Sequence, residues 1–191
     1  MPVYSVEGKL GTGKTKFAVW QAVRYLSAGR LVASNVDLEL DRLPVRGQVR
    51  KSYVRVPDKP TAADLVAIGS GNSSYDEDRN GLLILDELGS WLNARAFQDS
   101  GRAAVLDWLI HSRKYGFDVC LIVQDSLMID KQVREALIEY RVRTMRGDKV
   151  RIPLVGGLLN DLFGGRVGYF PKLHFAVSRL GSGCESVVAE R

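Results

Sequence analysis

The sequence predicts an α/β fold, a mostly parallel sheet flanked by helices on both faces, and three observations carry that prediction. Short β-prone runs alternate along the chain with segments whose apolar residues recur at helical spacing. One of the runs, Val3 to Val6, stops at a glycine-rich loop, Gly8 to Thr15, that opens a helix. Another, Leu82-Leu83-Ile84-Leu85, is apolar on both faces, as a strand inside a parallel sheet is, and ends on two acids, Asp86 and Glu87.

The elements follow in order. After the first strand and its loop, Phe17, Trp20, Gln21, Val23, Arg24 and Leu26 fall at helical spacing up to Gly29. Leu31 to Ser34 reads as a second strand, and the polar, proline-containing stretch from Asp37 to Pro60 is expected to hold a hairpin around Tyr53 to Val56. Thr61 caps a short helix from Ala62 to Ile68, with Asp64 three residues on and Gly69 ending it. Ser70 to Gly81 has the composition of a surface loop and leads into the Leu82 to Leu85 strand. A helix from Ala103 to Tyr115, a buried strand Val119 to Val123, a helix from Asp130 to Leu137 and a strand Arg141 to Arg146 complete the alternation, which makes successive strands parallel. Past Val150, the glycine-rich residues 156–168 and the run Leu173 to Val177 predict a small C-terminal β-rich extension.

A chain of 191 residues with 46% hydrophobic and 26% charged residues is neither disordered nor fibrous. It is expected to form one domain over 1–191, with 150–191 as the β-rich appendage. The net charge of +5 admits an anionic partner without requiring one. The cations gather in two places: Arg42, Arg46, Arg50, Lys51 and Arg55, and then Arg141, Arg143, Arg146, Lys149 and Arg151. Such segments suit nucleic acid, anionic lipid or an acidic protein, and equally the solvated face of a strand. Few aromatics are interleaved with them, so a base-stacking platform is not supported. No apolar run is long enough to span a bilayer and the N-terminus does not read as a secretory signal, so a soluble, cytoplasmic chain is expected. Cys120, inside the apolar run Val119 to Val123, reads as a buried thiol in a reducing compartment.

The run Gly8-Lys9-Leu10-Gly11-Thr12-Gly13-Lys14-Thr15 has the spacing of a phosphate-binding P-loop between a strand and a helix. A loop around a triphosphate must turn its backbone N–H groups inward, and Gly8, Gly11 and Gly13 permit the close approach and the unusual φ angles this takes. Residues Gly8 through Lys16 are therefore the candidate ATP site, with Lys14 charged toward the β and γ phosphates and the Thr15 hydroxyl a candidate Mg²⁺ ligand. Asp86, at the tip of a buried strand, is placed to hold the metal through a bound water, and Glu87 to orient and deprotonate an attacking water. That second carboxylate favours hydrolysis over transfer to another substrate.

Gln124 ends the next buried strand and is a candidate for sensing the γ-phosphate. Phosphoryl transfer gains from a cation supplied late, often by a neighbouring subunit, and Arg95 and Arg113 are candidates against the plainer reading of each as a surface arginine. Lys9, a second lysine within the loop, leaves open a dimeric switch in which it reaches a partner's nucleotide. His111 and His174 have no cysteine or histidine at ligand spacing, which argues against zinc. Trp20, Trp91 and Trp108 read as core or interface aromatics.

The phosphate loop together with Ala33 to Leu38, Val56 to Pro60, Gly71 to Glu77, Gly81 to Gly89, Trp91 to Arg95, His111 to Lys114 and Val123 to Asp125 resembles the zonula occludens toxin-like family of filamentous-phage assembly proteins, over nearly the whole chain to about His174. The resemblance implies a P-loop ATPase of the additional-strand, catalytic-glutamate division that drives virion assembly and extrusion at the cytoplasmic face of the host inner membrane. It further implies a homo-oligomer, with a ring expected, other phage assembly proteins and an outer-membrane secretin as partners, and phage single-stranded DNA or coat protein as the moved substrate. Members carry membrane-spanning and periplasmic parts after this domain, so the sequence is expected to be the cytosolic domain of a longer chain. The expected function is thus a Mg²⁺-dependent ATPase motor domain. A nucleotide-gated assembly scaffold or partitioning-type switch with little hydrolysis is the alternative, and a small-molecule phosphotransferase is disfavoured.

Overall fold

The computed structural model describes residues 2–45, 52–74, 76–91, 100–125, 129, 131–149, 173–180 and 185–190. Among them are eight strands: β1 (Val3–Glu7), β2 (Val32–Ser34), β3 (Tyr53–Arg55), β4 (Gly81–Leu85), β5 (Phe117–Val123), β6 (Tyr140–Arg146), β7 (His174–Leu180) and β8 (Glu185–Glu190). Five helices accompany them: α1 (Lys14–Ser27), α2 (Ala62–Ala67), α3 (Leu88–Trp91), α4 (Ser100–Ile110) and α5 (Lys131–Leu137). All eight strands belong to one sheet in the order β3-β2-β4-β5-β1-β6-β7-β8. The first six in that order run parallel to one another, and β7 and β8 add on antiparallel.

The two faces of the sheet explain the apolar runs. Leu82 and Ile84 pack with Val6, Cys120 and Ile122 beneath α1. Leu83 and Leu85, pointing the other way, pack with Val119, Leu121 and Val123 beneath Leu65, Leu88, Val105, Trp108, Leu109 and Leu137 of the other four helices. A central strand covered on both sides has no polar face, and each fully buried leucine there contributes about 1.5–3 kcal/mol. The inner stripe of α1 is Phe17, Ala18, Gln21, Ala22 and Leu26, whereas Arg24, expected in the stripe, is exposed and lies over the Trp20 ring at 4.9 Å. The two alanines let the helix approach the strands closely.

The capping box is formed as expected: Thr61 Oγ accepts from the Asp64 N–H and the Asp64 carboxylate accepts from the Thr61 N–H. Two expectations need correction. Tyr53–Arg55 forms no hairpin. It pairs parallel to β2, with Val32 opposite Tyr53, because the chain crosses over between them rather than turning back. The α4 helix stops at Ile110, and Ser112–Tyr115 is a separate 3-10 turn ended by Gly116 in the left-handed region. The C-terminal β-rich extension is formed by β7, which extends the main sheet through Arg146 opposite His174, and by β8 beyond it. Residues 156–168, the cations at 46, 50, 51 and 151, and Arg95 lie outside the described residues.

Among the described residues one buried acid interrupts the core. Asp118, on β5, is 3% exposed and accepts hydrogen bonds from the Tyr25 hydroxyl and from Asn80 Nδ2, the latter at 3.1 Å. Burial pushes its carboxyl above the usual range, while the two donors pull the other way.

Candidate functional site

Because β1, β4 and β5 are parallel neighbours, their carboxyl ends meet on one edge of the sheet. The loop after Glu7, the acids after Leu85 and Gln124 after Val123 are brought together there by topology alone. A cleft of about 380 Å³ at that edge is lined by Leu10, Lys14, Thr15, Asp86, Glu87 and Gln124.

The phosphate loop is held by two threonines. The hydroxyls of Thr12 and Thr144 lie 2.8 Å apart, and they reach the carbonyls of Lys9 and Glu7 at 2.7 and 3.1 Å. Gly8 passes so near that a Cβ there would stand 2.5 Å from both hydroxyls. At the far end of the loop Gly13 has φ +97°, and a Cβ would meet the His174 ring at 2.7 Å. The α1 helix begins at Lys14 with no side chain capping it, so its first N–H groups face the loop. Lys14 Nζ donates to the Gly8 carbonyl at 2.8 Å and toward the Lys9 carbonyl at 3.4 Å. Lys9, Gly11 and Lys16 are exposed, and Leu10 is 84% exposed at the crest.

Across the cleft, the Thr15 hydroxyl is 3.4 Å from Asp86 Oδ2. The other Asp86 oxygen accepts the N–H of Glu87 at 2.7 Å. Glu87 has φ +57°, the only non-glycine residue at positive φ among the described residues. A left-handed glutamate is strained, and strain of this kind persists where surrounding structure over-determines it. A hydroxyl and a carboxylate converging in this way are hard oxygen donors, the chemistry Mg²⁺ accepts, and they fit an ion that keeps several waters of its own.

Not every expected residue joins this cleft. Arg113 sits on the 3-10 turn before β5, near the opposite edge of the sheet, where its guanidinium pairs with Glu77. It has no part in the cleft of its own chain. His111 lies beside Asp107, with Nδ1 3.3 Å from the carboxylate. Two residues that sequence reasoning passed over contribute here: Thr144, and Asn35, whose side chain bonds the backbone of Asp86. Thr144 carried a signal, being a polar residue on the buried face of the alternating strand β6.

A family model described as zonular occludens toxin (Zot) matches residues 2–155. The chain is 47% identical over its whole length to the Gene 1 protein of Enterobacteria phage I2-2 and 46% identical to that of Salmonella phage IKe. The chain belongs to the Zot family. It spans about half the length of these curated relatives, covering 53% of each. Among solved structures, the Zot-family chain resembles the genome packaging NTPase B204 from Sulfolobus turreted icosahedral virus 2, solved in complex with AMP, with a TM-score of 0.59, 14% identity and coverage of 97% of this chain and 96% of that one. It also resembles the N-terminal domain of zonular occludens toxin from Neisseria meningitidis, with a TM-score of 0.53, 15% identity and coverage of 100% and 96%. These likenesses show a P-loop NTPase fold, and the expected fold class stands.

Proposed function

We propose that this Zot-family domain binds and hydrolyses ATP with Mg²⁺ and drives assembly and extrusion of a filamentous phage at the cytoplasmic face of the host inner membrane. The observation that carries the reading is the approach of Thr15 and Asp86 to 3.4 Å at the mouth of the cleft that also exposes Glu87 and Gln124. In this reading the loop amides and Lys14 hold the phosphates, and Lys14 exchanges its loop carbonyls for phosphate oxygens. Glu87 orients the attacking water and takes its proton, and Gln124 answers to the γ end. The metal, when bound by Thr15 and Asp86, would neutralise charge on the phosphate oxygens.

The relatives are Gene 1 proteins of phages, which supports placing the activity in a phage. We further propose that it serves assembly, with the domain working as a homo-oligomer alongside other assembly proteins and a secretin through the longer chain. Phage single-stranded DNA or coat protein is the proposed cargo. The exposed Lys9 and Leu10 at the loop crest favour a second reading, a nucleotide-gated scaffold in which the crest meets a neighbouring subunit. ATP turnover measured against protein concentration separates the two: a specific rate that climbs with concentration supports a motor with shared sites, and nucleotide-dependent assembly without turnover supports the scaffold. Nucleotide binding undiminished in Lys14→Ala would reject both.

A further inference from the structure

The tip of β4 is held by a side chain that imitates a strand. The parallel pairing of β2 with β4 runs through Ser34 opposite Ile84, and the Asn35 N–H still donates to the Ile84 carbonyl at 3.2 Å. There the β2 backbone turns off, its next N–H, of Val36, being taken by Ser34 Oγ at 2.9 Å. The following rung is built by the Asn35 carboxamide instead. Its Oδ1 accepts the Asp86 N–H at 2.7 Å, and its Nδ2 donates to the Asp86 carbonyl at 3.1 Å. The second Nδ2 proton goes to the Asp58 carbonyl at 3.0 Å. Asn35 is 9% exposed, so all three contacts are made largely out of water, where a lost partner costs most. Asp58 is fixed in turn by Arg55, which also holds Asp37 at 2.6 Å.

We infer that Asn35 is a positioning residue for the metal-facing carboxylate. An aliphatic side chain at 35 would fill the space, yet it would remove the Asn35 bonds to both backbone groups of Asp86 and loosen the aim of Oδ2 at Thr15. The inference rests on the proposed nucleotide site and adds to it a residue outside the phosphate loop and the acid pair, reached from the sheet edge through Arg55 and Asp58. The Asn35 amide touches no proposed ligand atom; its effect passes through Asp86.

The test is the affinity for a fluorescent ATP analogue measured in Mg²⁺ and again in EDTA. Wild type is expected to bind more tightly with the metal. Asn35→Ala is expected to keep its affinity in EDTA within about twofold and to lose about tenfold of the metal-dependent gain, the usual scale for outer partners of a metal ligand. Asn35→Asp, of nearly the same size, replaces both donors with an anion facing two carbonyls and is expected to lose at least as much. If Asn35→Ala does not fold, Arg55→Ala is expected to lower the same gain about threefold. A folded variant that retains the full gain, or that loses equally with and without Mg²⁺, overturns the positioning role and leaves the nucleotide site standing. Wild type that gains nothing from the metal overturns both.

Discussion

The Thr12 hydroxyl, inside the phosphate loop, and the Thr144 hydroxyl, on β6, lie 2.8 Å apart in the protein interior. The loop is thus clasped by a strand 132 residues away in sequence, which also pairs with β1 on the side opposite β5. Thr144→Val keeps the shape and removes the hydroxyl. It is expected to destabilise the protein by about 1–3 kcal/mol in urea unfolding, because the contacts of Thr144 with the Thr12 hydroxyl and the Glu7 carbonyl are both lost. Nucleotide affinity should fall with it, and Thr144→Ser should restore both. A valine variant that unfolds at the wild-type urea concentration would remove the clasp from the account.

The chemical role proposed for Glu87 and the cost of its backbone angle separate by substitution. Glu87→Gln is expected to bind ATP as wild type does and to turn it over about 10²- to 10⁴-fold more slowly, the range for a positioned general base. Glu87→Gly and Glu87→Ala both lack the carboxylate, but only glycine relaxes at φ +57°. The glycine variant should be the more stable of the two by about 1 kcal/mol. Equal ATPase rates in wild type and Glu87→Gln would end the role given to that side chain.

Asp118 should make stability depend on pH in a defined direction. Its carboxyl is raised by burial, so the native state holds the proton longer than the unfolded chain does. The associated stability is complete below the unfolded carboxylate pKa of about 4 and is lost as pH rises through the native value. Asp118→Asn should flatten that slope. Tyr25→Phe removes a donor to the carboxylate and should raise the native value further, widening the window, as urea midpoints across a pH series will tell.

Cys120 should be chemically silent in the folded protein. Burial pushes its thiol up to about 12, with the charge of Asp86 adding to the effect, and it is 0% exposed on β5. In a Cys184→Ser background, iodoacetamide at pH 8 is expected to leave native protein unmodified and to label it promptly in urea. Labelling of the native protein at the rate of a free thiol would mean that the β5 core opens.

Much of the candidate site's geometry was legible because the chemistry proposed for it needs residues that local rules expose. Glycines mark the loop, and an apolar run broken by two acids marks the β4 tip. The rest was written in long-range pairing. Nothing local tells Tyr53–Arg55 to lie parallel to β2, since a three-residue strand has the same composition in a hairpin. The antiparallel pairing of β7 with β6, which sets Arg146 opposite His174, is likewise a long-range relation. Arg113 looked eligible for phosphate chemistry by residue type, and the direction of β5 sent it toward the other edge. Thr144 and Asn35 act across gaps of 132 and 51 residues, which periodicity does not see.

The uncapped beginning of α1, the longest described helix, bears on how the protein should be handled. A serine or aspartate at an N-cap commonly adds about 1 kcal/mol over alanine, and Thr61 performs that service for α2. At Gly13 the same improvement is barred by backbone angle and by the imidazole beside it. Durability in storage and crystallisation is therefore better sought from the buffer than from redesign of this turn. A polyphosphate additive that settles on those amides would raise the melting point with the logarithm of its concentration.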